Sequence, residues 1–237
     1  MHLGSTLLDL IYPRSCTVCG SETGAGQGYI CWDCLAGFDV ISRPFCSVCG
    51  DPVEGMVEHE YRCSHCQKSR TAFDMARSAV RYRGSVCAIL QSLKYSKQTF
   101  LVPDLLPFLS GCVSTHYSKV FFDGVVFVPL YPRKERERTF NQARLLARAL
   151  ARAMDLPFLP NCLERTRYTV TQTDLDAAHR RANVRGAFAP LNRKWLDGRT
   201  LLLVDDVMTT GATVDECAKV LKEAGAAGVF VVTVARG

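Results

Sequence analysis

The feature that most limits what this chain can fold into is the placement of its cysteines. There are twelve among 237 residues, and eight form four Cys-x-x-Cys pairs within the first 70: Cys16/Cys19, Cys31/Cys34, Cys46/Cys49 and Cys63/Cys66. Cys87, Cys112, Cys162 and Cys217 are singletons. The pairs also repeat. Cys16-Thr-Val-Cys19-Gly20 returns as Cys46-Ser-Val-Cys49-Gly50, and each copy closes with a second pair after an insert of 11 or 13 residues. Such self-similarity implies one small unit used twice.

A Cys-x-x-Cys turn presents two thiolates, and two facing turns complete a tetrahedral S₄ shell of the kind zinc accepts. The competing readings are disulfides and redox-active dithiols. Disulfides fit poorly, because the opening MHLGSTLLDLIYPRSC has neither the basic leader nor the long apolar core of a secretory signal. A single redox motif would not need four copies. The expectation is two structural zinc ions, one on Cys16, Cys19, Cys31 and Cys34, the other on Cys46, Cys49, Cys63 and Cys66. An interleaved pairing satisfies the same spacing. His59 and His65 could replace a thiol, but four cysteines already fill each shell, so both are expected at the surface. Ribbons this short build little core, so metal is expected to supply most of their folding energy. A closed S₄ site has no open position for catalysis. Trp32, Phe38 and Phe45 are expected as small-core residues rather than a binding face.

Beyond residue 72 cysteine thins out and longer apolar segments begin. With 48% hydrophobic and 22% charged residues the chain is of globular, not disordered, composition. No apolar run approaches the roughly 18 residues of a membrane span. Residues 78–82 read as a short strand, while Val86, Ile89, Leu90 and Leu93 recur at helical spacing. Val125–Val128 reads as a buried strand, 141–153 as an alanine- and leucine-rich helix, Leu201–Val204 as a second buried strand, 214–223 as a helix and 229–234 as a final strand. That alternation is the mark of an α/β domain with a mostly parallel sheet, here 71–237, behind a small N-terminal double zinc-ribbon module, 1–70. Charge divides at nearly the same place. Residues 1–72 carry 5 basic and 8 acidic side chains, and the remainder 24 and 15, within an overall balance of +6. A polyanion is therefore drawn to the α/β part.

The most informative stretch is Leu201-Leu-Leu-Val-Asp205-Asp206-Val-Met-Thr209-Thr210-Gly211-Ala212-Thr213. An apolar strand delivers two acids to its carboxyl end, where open parallel sheets bind ligands. A small hydroxylated turn then opens a helix, and its amides, hydroxyls and helix terminus suit a phosphate. Carboxylates accept hydrogen bonds from ribose hydroxyls, so the combination reads a ribose 5-phosphate. The bland alternative, two solvated aspartates and a capping threonine, leaves paired acids beside an apolar strand without partners.

This segment resembles the phosphoribosyl diphosphate (PRPP) motif of type I phosphoribosyltransferases. The resemblance implies that Asp205 and Asp206 bind the ribose hydroxyls and that Thr209, Thr210, Gly211, Ala212 and Thr213 bind the 5′-phosphate. It also implies Mg²⁺ held with PRPP or pyrophosphate, mainly by substrate oxygens. A second family element, a pyrophosphate loop after an earlier strand, corresponds to 128–134, where Arg133 and Lys134 would stabilise the leaving group. Arg144, Arg148 and Arg152 then recur every fourth residue, either facing an anion or forming a solvated face. The basic stretches 165–174 and 180–188 correspond to the hood or flexible loop over the active site.

The whole chain resembles the ComF/GntX family, a competence-associated group joining a double zinc ribbon to a phosphoribosyltransferase domain. The residues carrying the likeness are the four cysteine pairs, Leu93-Lys94-Tyr95, Arg138-Thr-Phe-Asn141-Gln142, Gln172 with Arg181-Ala-Asn183-Val, and the PRPP motif. The resemblance implies a cytoplasmic protein of natural transformation that handles incoming single-stranded DNA, with no membrane insertion. Its partners would be PRPP or a related ribose phosphate, single-stranded DNA, and a DNA-uptake or helicase protein. Two alternatives stand beside that role: an active phosphoribosyltransferase on an unidentified acceptor, and an adaptor that docks a DNA-processing partner through its ribbons. Tyr82, Tyr95, Tyr131 and Tyr168 are candidate stacking residues for single strands. Two departures matter. Thr139 stands where the family commonly has glycine, a residue suited to positive φ. Thr209 stands where purine-salvage enzymes carry an aspartate general base, which argues against hypoxanthine or guanine transfer.

Overall fold

The computed structural model describes residues 14–24, 28–55, 57, 59–169 and 177–237. Gln172 and Asp174 lie outside the described residues. In chain order the strands are β1 (Met75–Arg81), β2 (Gly124–Phe127), β3 (Leu163–Arg165), β4 (Phe188–Pro190), β5 (Thr200–Met208) and β6 (Gly228–Arg236). The helices are α1 (Trp32–Ala36), α2 (Ser64–Lys68), α3 (Ser85–Tyr95), α4 (Val102–His116), α5 (Pro132–Arg138), α6 (Gln142–Ala153), α7 (Ala177–Val184), α8 (Arg193–Leu196) and α9 (Ala212–Glu223).

Four strands form a sheet in the order β1-β6-β5-β2, every neighbouring pair parallel, and β3 and β4 form a small antiparallel pair. The apolar run of β5 is buried because it is covered on both faces, as parallel strands are. Leu202 and Val204 join the core built by Leu105 and Leu109 of α4 and Leu146 and Leu150 of α6. Leu201 and Leu203 join the opposite core, with Cys217 and Leu221 of α9 and Phe188 of β4. The strand's period of two therefore carries Asp205 to the α9 face and Asp206 to the α4/α6 face.

Helix α6 turns Leu146, Ala147, Leu150 and Ala151 to the core. Its start is fastened by Asn141, whose Oδ1 accepts from the Arg144 amide (3.3 Å) and whose Nδ2 donates to the Val128 carbonyl (3.1 Å) at the end of β2. Arg144, Arg148 and Arg152 are exposed on the other side, away from the cavity described below. One helix departs from the sequence expectation: α5 is a charged helix where a loop is expected, and α4, for which the sequence motifs give no expectation, forms despite prolines at 103 and 107. Proline is tolerated in a first helical turn, whose amide has no partner in any case, and this explains Pro103 and Pro132.

The two ribbons share one hydrogen-bond plan. Cys16 N–H donates to Ser21 O (2.7 Å) as Cys46 N–H does to Asp51 O (2.8 Å), and Thr17 N–H donates to Tyr29 O (2.9 Å) as Ser47 N–H does to Tyr61 O (2.7 Å). Each knuckle turns on a glycine of positive φ, Gly20 at 76° and Gly50 at 69°. Neither ribbon stands apart from the α/β domain. Ile30, Phe38 and both buried cysteines of the first pack into the α4/α6 core, and the residues between the ribbons bridge to β1 through Val40 and Val80. Phe38 and Phe45 are buried, as expected of small-core residues, but Trp32 is 68% exposed. The ribbons thus draw packing from the larger domain as well as cohesion from their thiols.

Candidate functional site

The carboxyl end of β5 opens into a cavity of 290 Å³. The stretch from Asp205 to Val214 lines one side, and Lys94, Lys134, Arg138 and Arg165 line the others. Gly211 caps α9 with φ 77°, the left-handed conformation that favours glycine. Helix α9 begins at Ala212, and the amides of its first turn have no partner within the helix. With the helix dipole, they make the end of the loop attractive to an anion.

The acid pair is asymmetric. Asp205 Oδ1 accepts from the Asp206 amide (2.9 Å), and Asp206 Oδ1 from the Val207 amide (2.8 Å). Asp206 Oδ2 lies 2.8 Å from Lys94 Nζ, at the last turn of α3. Burial, reinforced by the neighbouring Asp206 charge, pushes the Asp205 carboxyl up to about 8. For Lys94, burial works against the charged form, but the facing carboxylate outweighs it and the net direction is upward. Burial followed by the charges of Arg165 and Arg138 lowers the Lys134 ammonium. Lys134 Nζ also donates to the Thr169 carbonyl (3.3 Å).

The expected site residues are brought together with one exception. Asp205, Asp206, Thr209, Thr210, Gly211, Ala212, Thr213 and Lys134 all line the cavity. Arg133 does not: it is exposed, pairs with Glu137 (2.9 Å) and lies over the Tyr168 ring (5.9 Å). Consecutive residues on a helix diverge by about 100°, so α5 can turn only one of these two cations inward. Lys94 and Arg138 are cavity cations to which the sequence motifs assign no role there, and Arg165, expected only as part of the basic hood, joins them. Their signal was present only as basic residues inside family-like segments. Thr139, between Arg138 and the start of α6, has φ 71°, the left-handed conformation that a glycine at this position would supply.

The cysteines resolve into two groups, Cys16/Cys19/Cys31/Cys34 and Cys46/Cys49/Cys63/Cys66, each with its sulfurs within 4.8 Å of one another. The interleaved pairing is thereby excluded. Cys19 and Cys31, and likewise Cys49 and Cys63, are 3.6 Å apart, whereas a disulfide needs about 2.05 Å. A zinc–sulfur distance of about 2.3 Å puts the edge of an S₄ tetrahedron near 3.8 Å. Both groups are thus consistent with structural zinc. His59 is exposed, and His65 faces Arg181 Nη2 at 2.8–2.9 Å rather than joining a thiol group.

The second ribbon is also tied to the start of the loop 209–213. Arg236 at the end of β6 pairs with Asp51 (3.0 Å), donates to the Met208 carbonyl (3.3 Å) and contacts that of Thr209. Asp215 of α9 accepts from the Ala72 amide (2.6 Å) just beyond the ribbon.

A paired Cys₄ module set on a parallel α/β domain, with acids and a glycine-containing loop at one strand end, defines a double zinc ribbon joined to a phosphoribosyltransferase-type domain. The double zinc ribbon domain matches residues 7–67 and the phosphoribosyl transferase domain residues 141–237. Competence protein F of Haemophilus influenzae is 30% identical over 93% of this chain and 96% of its own. DNA utilization protein YhgH of Escherichia coli K12 is 30% identical over 94% and 96%. Competence protein ComFC of Bacillus subtilis is 26% identical over 84% and 80%. The chain belongs to the ComF family of competence and DNA utilization proteins. Among the described residues no helix is long and apolar enough to cross a membrane.

Proposed function

We propose that the cavity binds PRPP or a related ribose phosphate, in a protein that handles incoming single-stranded DNA. The observation that carries the reading is the convergence of Asp205, Asp206 and the loop 209–213 on one wall with Lys134, Arg138 and Arg165 on the others. The loop amides and hydroxyls take the 5′-phosphate, the acid pair takes the ribose, and the cations take the pyrophosphate. Arg133, outside the lining, serves the rim. As a companion of PRPP, magnesium would supply neutralisation of the pyrophosphate charge. Asp206 would offer such an ion little, because it already faces the Lys94 ammonium and the Val207 amide. If turnover occurs, the bond from ribose C1 to pyrophosphate breaks, and Lys134 and its neighbours receive the leaving charge.

Support for the DNA role comes from the rim and from the relatives' names. Tyr95 is 66% exposed with Arg138 5.1 Å over its ring. Tyr168 is also exposed, 5.6 Å from the Tyr131 ring, with Lys134 at 5.5 Å. Aromatic faces beside cations suit stacked bases and their phosphates. Calorimetry with PRPP and Mg²⁺ tests the pocket: wild type should give binding heat and Asp205→Asn/Asp206→Asn none, whereas absent heat in both overturns it. Titration with single-stranded DNA should show affinity falling steeply with salt. Flat dependence, or no binding at low salt, overturns the DNA role.

A further inference from the structure

The acids at the end of β5 are served unequally. Lys94 reaches Asp206 from α3, with side-chain exposures of 18% and 6% for the two partners. The other Asp206 oxygen is held by the Val207 amide at 2.8 Å. Both oxygens of that carboxylate are thus committed to the protein, and one of the pair's two negative charges is matched by a cation that cannot diffuse away. Asp205, on the opposite face of the strand, has one oxygen on the Asp206 amide, and it lines the cavity beside the phosphate loop. An uncompensated pair of adjacent carboxylates attracts a divalent ion. Here an ammonium already stands against one of them.

We infer that Lys94 is the resident cation of the acid pair, a positioning residue that locks Asp206, leaves Asp205 to read the ribose, and makes recognition of a pyrophosphate-free ribose 5-phosphate independent of divalent metal. The inference rests on the ribose phosphate reading of the cavity and deepens it. Any magnesium requirement then belongs to the pyrophosphate of PRPP and not to the sugar. The upward displacement of the Asp205 carboxyl points the same way, since burial beside a second carboxylate disfavours its charged form.

The test is titration of ribose 5-phosphate into the full, zinc-loaded chain in resin-stripped buffer, with and without millimolar magnesium. Chelators are avoided and zinc content is checked, so that the ribbons stay intact. Wild-type affinity should agree within about twofold in the two buffers, well under 1.4 kcal/mol, the equivalent of a tenfold change. Lys94→Met should lose about tenfold or more without magnesium, as expected when the cation facing a buried carboxylate is removed, and recover part of it when magnesium is added. Lys94→Arg should keep metal-independent binding. Wild-type binding that appears only with magnesium overturns the inference while leaving the ribose phosphate reading intact. No binding in either buffer overturns both. The wild-type comparison decides the matter even if Lys94→Met fails to fold.

Discussion

The two ribbons are copies in sequence and hydrogen bonding, yet they are set into the molecule differently. In the first, Cys19 is exposed and a Cβ on Gly20 would meet nothing within 4 Å. This ribbon leans on α4, through the Tyr29 amide on Asp104 (3.1 Å) and the Phe38–Phe108 ring contact (4.8 Å). In the second, all four cysteines are buried, and a Cβ on Gly50 would lie 2.7 Å from the Ala76 carbonyl of β1. Val48 O accepts from the Ala76 amide (2.8 Å), and Asp51 pairs with Arg236, which also holds the carbonyls of Met208 and Thr209 where β5 gives way to its loop. Duplication supplied two modules of one shape. One braces a helix, and the other forms part of the wall behind the cavity at the end of β5.

That difference can be broken at three strengths. The strongest is removal of metal ligands. Cys46→Ser/Cys63→Ser and Cys16→Ser/Cys31→Ser should each lower zinc from two ions per chain to one by elemental analysis. A structural zinc site contributes on the order of 10 kcal/mol, so both variants should melt lower. Only the second-ribbon variant should also lose ribose 5-phosphate binding. Equal loss in both would erase the distinction. Next come the knuckle glycines. Gly20→Ala meets only left-handed strain, about 1 kcal/mol, while Gly50→Ala adds a backbone clash and should cost about 3 kcal/mol in denaturant unfolding. The smallest effect is at the clamps. Arg236→Gln should destabilise by about 2 kcal/mol and weaken ribose 5-phosphate binding. Asp104→Asn, at the first ribbon's anchor, should leave that binding unchanged.

How much of this was legible from sequence depends on the range of the interaction. The repeat of Cys16–Gly20 at Cys46–Gly50 is local, and so is the strand, acid pair and turn of 201–213. Both appear as their residue pattern implies. The choice between sequential and interleaved cysteines is a matter of chain path, and no spacing could make it. Helix α5 was hidden because its proline and dense charge imitate a loop, and with it the divergence of Arg133 from Lys134. The contacts that distinguish the ribbons are the least local. Asp51 meets Arg236 across 185 positions, and Lys94 meets Asp206 only because α3 ends beside β5. Trp32 was misplaced for a simpler reason: the ribbons borrow core from the sheet and its helices, so they need not bury every large side chain of their own.

The claim on which the rest depends is that the end of β5 reads a phosphorylated ribose. Amide hydrogen exchange on the intact, zinc-loaded chain, with and without saturating ribose 5-phosphate, tests it residue by residue. Exchange should slow at the amides of 209–214 and stay unchanged at 17–20 in the first ribbon. Saturable binding with no slowing at 209–214 would contradict the account.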